Sequence, residues 1–137
     1  VSVVRIFSAL KDRLDALTPP ITTVYPGMTH EPVTGSPYQK AFLLPAQSRN
    51  AGLGIQAATY ETGLFQVSAF YGADEDVAAM ERAEVIRDHF ARGTPGITFD
   101  GLTVRIPVKP SIGPLLVDDG WISVAVSVRY FAHVFPG

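Results

Sequence analysis

An α+β fold is what the sequence predicts: a mostly antiparallel sheet with two helices packed on one face, in a single domain spanning residues 1–137. Two stretches repeat apolar residues at three- and four-residue steps, the period of helices with one buried stripe. Between and after them lie alternating or all-apolar runs bounded by Gly, Pro and Asp-Gly, the mark of strands joined by turns. Helix, strands, helix, strands in that order favours helices covering an antiparallel sheet over a repeated βαβ unit. With 137 residues, one domain can bury about two thirds of its unfolded surface.

The first helix is predicted over about Ser2–Leu17. Val3, Val4, Phe7, Leu10, Leu14 and Leu17 form its stripe, and Lys11, Asp12 and Asp15 lie off it. Ser2 is placed to cap the free amides. Thr18-Pro19-Pro20 ends the helix, because proline has no amide hydrogen and pushes its predecessor out of helical geometry. A long, proline-rich connection over 18–37 follows, within which only Ile21–Tyr25 reads as a possible strand. Tyr38–Leu44 is predicted as a strand with Tyr38, Lys40, Phe42 and Leu44 on one side, closed by Pro45. After the polar excursion Gln47–Gln56, strands resume at Ala57–Glu61 and Leu64–Tyr71. In the second of these, Phe65, Val67, Ala69 and Tyr71 alternate with Leu64, Gln66, Ser68 and Phe70. Apolar residues on both sides suit a central strand.

The second helix is predicted over about Glu75–Phe90. Asp74, Glu75 and Asp76 at its start and Arg87, His89 and Arg92 near its end complement the helix dipole. Val77, Met80, Ala83, Ile86 and Phe90 trace the expected buried face, with the Arg87 stem as an alternative to Ile86, and Gly93 is a natural terminator. Ile97–Phe99 and Leu102–Val108 flank Asp100-Gly101 as a hairpin, with Pro107 marking an edge. Lys109–Pro114 reads as a loop into Leu115–Val117. Asp118-Asp119-Gly120 then turns the chain into the longest strand, Trp121–Val134, where Ile122, Val124, Val126, Val128 and Tyr130 share one side.

Composition narrows the function classes. Hydrophobic residues make up 47% and charged residues 18%, below the roughly 25% charge usual in soluble proteins, which suits a protein that assembles. A net charge of −2 argues against a dedicated nucleic-acid binder, since neutralising phosphates needs massed Lys and Arg. The apolar runs are too short to span a bilayer. Lys11, Asp12, Arg13 and Asp15 interrupt any signal-peptide core. The opening Val1-Ser2 is the expected result of removing an initiator methionine. The absence of cysteine excludes disulfides and thiolate metal sites, and it fits reducing cytoplasm.

Catalytic patterns find little support. Gly52-Leu53-Gly54-Ile55-Gln56-Ala57 matches G-x-G-x-x-A but leads into strand-like sequence, where a dinucleotide site needs a helix. His30, His89 and His133 are too scattered for a metal motif, and no serine sits in G-x-S-x-G. Asp118 and Asp119 are neighbours in a turn, and Glu81 and Glu84 share a helix face without facing a common centre. No catalytic, cofactor-binding or metal residues are therefore expected. Tyr25, Tyr38, Phe70, Tyr71, Trp121, Tyr130, Phe131 and Phe135 exceed what a small core needs, and aromatics are enriched in interface cores.

Three stretches in fixed order carry a family likeness: Val33–Ala46 (VTGSPYQKAFLLPA), Ala79–Thr94 (AMERAEVIRDHFARGT) and Leu116–Tyr130 (LVDDGWISVAVSVRY). With the opening SVVRIFSALKDRLDAL and the closing RYFAHVF, they resemble the small bacteriophage tail terminator proteins. The resemblance implies a structural protein of the virion, assembled in host cytoplasm and located at the head–tail junction. It implies a ring of identical copies, six in the family, that caps the tail tube, stops its growth and docks the head. Partners would be other copies, the tube protein and a head–tail connector or neck protein, with DNA passing the lumen without sequence-specific binding. Two alternatives stay open: a head-side neck or connector protein, and a small ligand-binding or enzymatic α+β domain.

The matched segments map onto scaffold more than onto contact loops. The candidate partner-docking loop comes from composition: Gln47, Ser48, Arg49, Asn50, Leu53, Ile55 and Gln56, in a polar, glycine-bearing excursion between strands. It is expected to be mobile in the free subunit and to order against a neighbour or the tube.

Overall fold

Fourteen residue pairs between two strands form the spine of the molecule. A computed structural model describes residues 2–33, 35–46, 49–50, 59–91, 96–99 and 101–134. The spine is β4 (Thr59–Gly72) against β8 (Trp121–Val134), antiparallel and in unbroken register from Thr59↔Val134 to Gly72↔Trp121. β2 (Tyr38–Pro45) lies antiparallel to β4, and β1 (Thr22–Val24) lies parallel to β2 at one edge. β7 (Ser111–Asp118) pairs antiparallel with β8 at the other edge. The order is β1-β2-β4-β8-β7, with the short β3 (Arg49–Asn50) beside the start of β4. A separate hairpin joins β5 (Ile97–Phe99) to β6 (Leu102–Val104). The helices are α1 (Ser2–Asp15) and α2 (Asp76–His89). The chain is thus α+β with a mostly antiparallel sheet.

The hydrophobic core draws on both helices and both long strands. Ile6, Leu10 and Leu14 of α1 and Ala79, Ala83 and Ile86 of α2 share one cluster with Phe65, Val67, Val124, Val126 and Val128. The alternation in β4 and β8 follows the sequence pattern: Phe65, Val67 and Ala69 are buried, as are Ile122, Val124, Val126, Val128 and Tyr130.

Both helix stripes differ from expectation. Val3 and Val4 are 40% and 65% exposed, and the buried stripe starts a turn later at Ile6. The spacing identifies a helix but does not say which turn overhangs the core. In α2, Ala83 and Ile86 are buried as expected, as is Phe90 just after it, but Val77 and Met80 are exposed, and Ala79 and Arg82 face inward. The two lines coincide from Ala83 onward and part only in the first two turns of the helix. Two alanines let the helix approach closely, so large apolar side chains were a poor guide to the inner face of those turns.

The strands also correct the sequence reading. Ala57–Glu61 and Leu64–Tyr71 were expected as two strands, yet β4 runs straight through Gly63. A Cβ at Gly63 would lie 2.5 Å from both the Leu44 carbonyl oxygen and the Tyr130 hydroxyl. Glycine there lets the neighbouring strands close in, as a bare backbone can. Lys109–Pro114, expected as loop, is strand from Ser111. Pro114 is accommodated because β7 is an edge strand with a register shift between Ile112 and Leu115. β6 stops at Val104, short of the expected Val108, and only Arg105 continues it, in a single bridge to Phe131. The hairpins at Gly101 and at Asp119-Gly120 follow the sequence. Asp119 and Gly120 both have positive φ, 48° and 81°, matching the two-residue turn whose twist suits antiparallel strands.

Candidate interaction surface

Two members of the candidate docking loop have defined places. Arg49 and Asn50 form β3 and pair with Tyr60 and Thr59. They extend the line of β2 along the same side of β4, after the Ala46 amide donates to the Thr62 carbonyl at 2.8 Å. Gln47, Ser48, Leu53, Ile55 and Gln56, with the G-x-G-x-x-A motif, lie outside the described residues, as do Arg92, Gly93, Asp100 and Phe135. Arg49 and Asn50 thus sit beside the first residues of β4, at the Thr59–Val134 end of the spine.

Aromatic residues collect on the sheet face that alternates with the core positions. Tyr38 and Phe70, opposite each other in register, stack with ring centres 4.7 Å apart and 4° between planes. Trp121 meets Tyr38 edge-on at 5.3 Å, and the His30 ring lies 4.7 Å from Tyr38. Lys40 Nζ sits 5.4 Å from the Phe70 ring centre, within reach of a cation–π attraction. Of the aromatics singled out by sequence, Tyr25, Tyr38 and Tyr130 are buried, and Phe70, Tyr71, Trp121 and Phe131 are half-buried.

A buried polar network, missed in the sequence, ties α2 to the β1 edge. Arg82 is 4% exposed. Its Nε and Nη2 donate to Gln39 Oε1 at 3.3 and 3.2 Å, and its Nη1 donates to the Pro19 carbonyl. Gln39 Nε2 in turn donates to Thr23 Oγ1 at 2.9 Å. Burial pulls the Arg82 pKa down, with the nearby Tyr71 acting the other way. The available signal was Arg82's position three residues after Ala79 and four before Ile86, in line with the buried stripe. A cavity of about 440 Å³ lies beside the network, lined by Lys11, Leu14, Tyr25, Met28, Gln39 and Arg82 among others. Tyr25 donates its hydroxyl to Asp15 at 2.7 Å, and burial together with that carboxylate drives its pKa upward. Tyr130 is pushed up to about 12, by burial first and by Glu61 second.

Among the described residues, the candidates for chemistry do not converge on a site. Asp118 and Asp119 are exposed at the β7–β8 turn, and Glu81 and Glu84 are exposed on α2. His89 is half-buried at the end of α2, far along the chain from His30 beside Tyr38. Among the described residues, no group of three or more His, Cys, Asp or Glu is placed to hold a metal ion. No described helix is long and apolar enough to cross a membrane.

Comparison with known proteins gives this arrangement a context. A solved protein structure superposes with a TM-score of 0.69, covering 98% of this chain and 94% of that chain at 22% identity. That likeness speaks for the fold. No curated protein sequence matches the chain significantly. A family model described as phage tail terminator protein matches residues 5–130, from the first helix to Tyr130 in the last strand. The chain belongs to the phage tail terminator protein family, whose members are structural proteins of the bacteriophage tail.

Proposed function

We propose that the protein closes into a homo-oligomeric ring, a hexamer when bound, on the end of the tail tube. There it stops addition of tube subunits and presents its other face to the neck of the head. The observation that carries this reading is the family match over residues 5–130. Both helices lie on one face of the sheet in this reading, leaving the face with Tyr38, Phe70 and Trp121 toward assembly partners. The shared core cluster of α1, α2, β4 and β8 supports that arrangement. A head-to-tail contact that closes gives a ring, and one that does not close grows without limit. Termination follows where one ring face copies the docking surface of the tube and the other does not.

Micrographs of an infection lacking this gene test the reading. Tails of uncontrolled length, free of heads, are expected, because the tube's own subunit contact has no intrinsic stop. Tails of normal length beside filled heads would instead assign the protein to the neck. A defect reversed by a supplied small molecule would point to an enzyme.

A further inference from the structure

Opposite ends of the β4–β8 spine carry opposite charge. At one end Gly72, Trp121 and Asp118 stand in a row across β4, β8 and β7. Asp118 and Asp119 are exposed at the turn beside that row, and exposed Asp74, Glu75 and Asp76 follow Gly72 into α2. Lys40, whose Nζ lies 5.4 Å from the Phe70 ring centre, offsets one of these carboxylates. Toward the other end Arg129 pairs with Leu64, and Arg105 bridges Phe131. Both arginines are exposed, as are Lys109 and His133, whereas Glu61, opposite Ala132, is buried. Among the described residues this end is therefore basic.

Apolar surface accompanies each charge. Leu115, Leu116 and Val117 lead into the acidic corner and are 36%, 58% and 73% exposed. Leu116 pairs with Ser123 and Asp118 with Trp121, so both stand on the sheet face that alternates with the core positions. Toward the basic end lies a groove of about 390 Å³, lined by Thr62, Gly63, Leu64, Pro107, Arg129 and Phe131 among others. The pairs Thr62↔Phe131 and Leu64↔Arg129 belong to that same face. An apolar edge rimmed by acids and an apolar groove rimmed by bases are the two halves of an interface with a dry centre and a polar rim. One chain cannot join them by itself. Ser123, opposite Leu116, and Phe131 at the groove lie about 27 Å apart along β8 at the usual rise per residue. A second copy supplies the groove, its apolar lining and its basic rim together.

We infer that the β7–β8 corner of one copy, Leu116 to Asp119, seats in the Pro107–Arg129 groove of the next. Asp118 and Asp119 then face Arg129 and Lys109 across the contact. Such a head-to-tail contact leaves one corner and one groove open until the ring closes. The inference rests on the ring reading above and names the contact between neighbours in that ring.

Charge exchange tests it. Asp118→Arg and Arg129→Glu alter exposed side chains, so each variant should keep the wild-type circular dichroism and unfolding midpoint. Each alone sets like charges across the contact and should reduce capping of isolated tubes at least about tenfold. The double variant restores opposite charges at every contact and should recover most of the capping. Full capping by either single variant overturns the proposal, and so does a double variant as weak as the singles. Carbodiimide treatment of wild-type virion tails needs no substitution, because it bonds carboxylates to amines in direct contact. Lys109 and the acidic corner flank opposite ends of β7, about 24 Å apart within a chain, so a bond from Lys109 to Asp118 or Asp119 joins two copies. A ladder of multimers carrying that bond and ending at the ring size is expected, and its absence overturns the proposal. The ladder alongside normal-length tails in the gene's absence sinks the terminator reading alone. Overlong tails without the gene, combined with no ladder, sink the contact alone.

Discussion

Arg13 and His89 hold each other by the main chain. The Arg13 guanidinium donates to the His89 carbonyl through Nε at 3.2 Å and Nη2 at 2.8 Å, and His89 Nε2 donates to the Arg13 carbonyl at 2.6 Å. The contact joins the last turns of α1 and α2, 76 residues apart in the chain. It also occupies carbonyls that helix ends otherwise leave unpaired.

The burial of His89 at this contact predicts a loss of stability in mild acid. Burial holds the His89 pKa below its ordinary value of 6.5, with the Arg13 and Arg82 charges acting the same way and the bond to Arg13 opposing them. The unfolded chain therefore binds the proton more readily. The contribution is complete above the unfolded pKa and is lost as pH falls through the folded one. Urea midpoints should fall between about pH 7.5 and about pH 5, and His89→Gln should flatten part of that slope. An unchanged slope in the variant would remove His89 as the cause.

Gly63→Ala should destabilise the subunit. The added methyl meets a backbone oxygen and the Tyr130 hydroxyl at 2.5 Å each, and Tyr130 is only 3% exposed, so it has little room to turn. Overpacking of this kind costs about 1–3 kcal/mol. Chemical denaturation of the purified variant reads it directly. Pairing the change with Tyr130→Phe should recover part of the loss, since one of the two clashing oxygens is gone.

Arg82→Met should cost about 2–4 kcal/mol, because the Gln39 amide and the Pro19 carbonyl lose a charged donor in a buried place. Arg82→Lys should recover little, since an ammonium cannot span Gln39 and Pro19 as the planar fork does. Hydrogen exchange at Thr22–Val24 should rise in both variants if the network holds β1 in place.

Replacing Gln47–Gln56 by Gly-Asn should leave the subunit folded and reduce its binding to tail tubes. The change removes β3 and its two pairs with β4, but the β2–β4 and β4–β8 ladders keep all of theirs. Sedimentation of the variant with isolated tubes measures the effect, and wild-type binding would show that the loop makes no contact of consequence.

Duplex DNA should bind weakly and without sequence preference. A ring through which a genome passes cannot afford a dense basic lining, because released counterions would make binding tight. Salt-sensitive binding at sub-micromolar concentration, measured by fluorescence anisotropy, would contradict this expectation.

The strands were the most legible part of the sequence, because period-two burial in β4 and β8 leaves an alternating record that survives without neighbours. The hairpin at Asp119-Gly120 was legible for a related reason: its chemistry is local. The inner face of α2 was legible at Ala83, Ile86 and Phe90 but not in its first two turns, where an alanine and an arginine, Ala79 and Arg82, face inward and leave no hydrophobic signature. The strand at Ser111 was hidden by Pro114, which argues against a central strand but not against an edge. Gly63 read as a break because its partner, Tyr130, is distant in sequence. For the docking loop, composition singled out a segment, and only Arg49 and Asn50 of it acquire a defined pairing.

The β4–β8 spine has a mechanical consequence. Fourteen residue pairs without a bulge make a ribbon roughly 47 Å long at the usual rise per residue. Tension along that ribbon loads its cross-strand bonds in shear, so they resist together. Tension across it would open them singly, like a zipper. A subunit whose strands run between its two points of attachment is therefore a stiff tie, and one whose strands run across the load is a weak link.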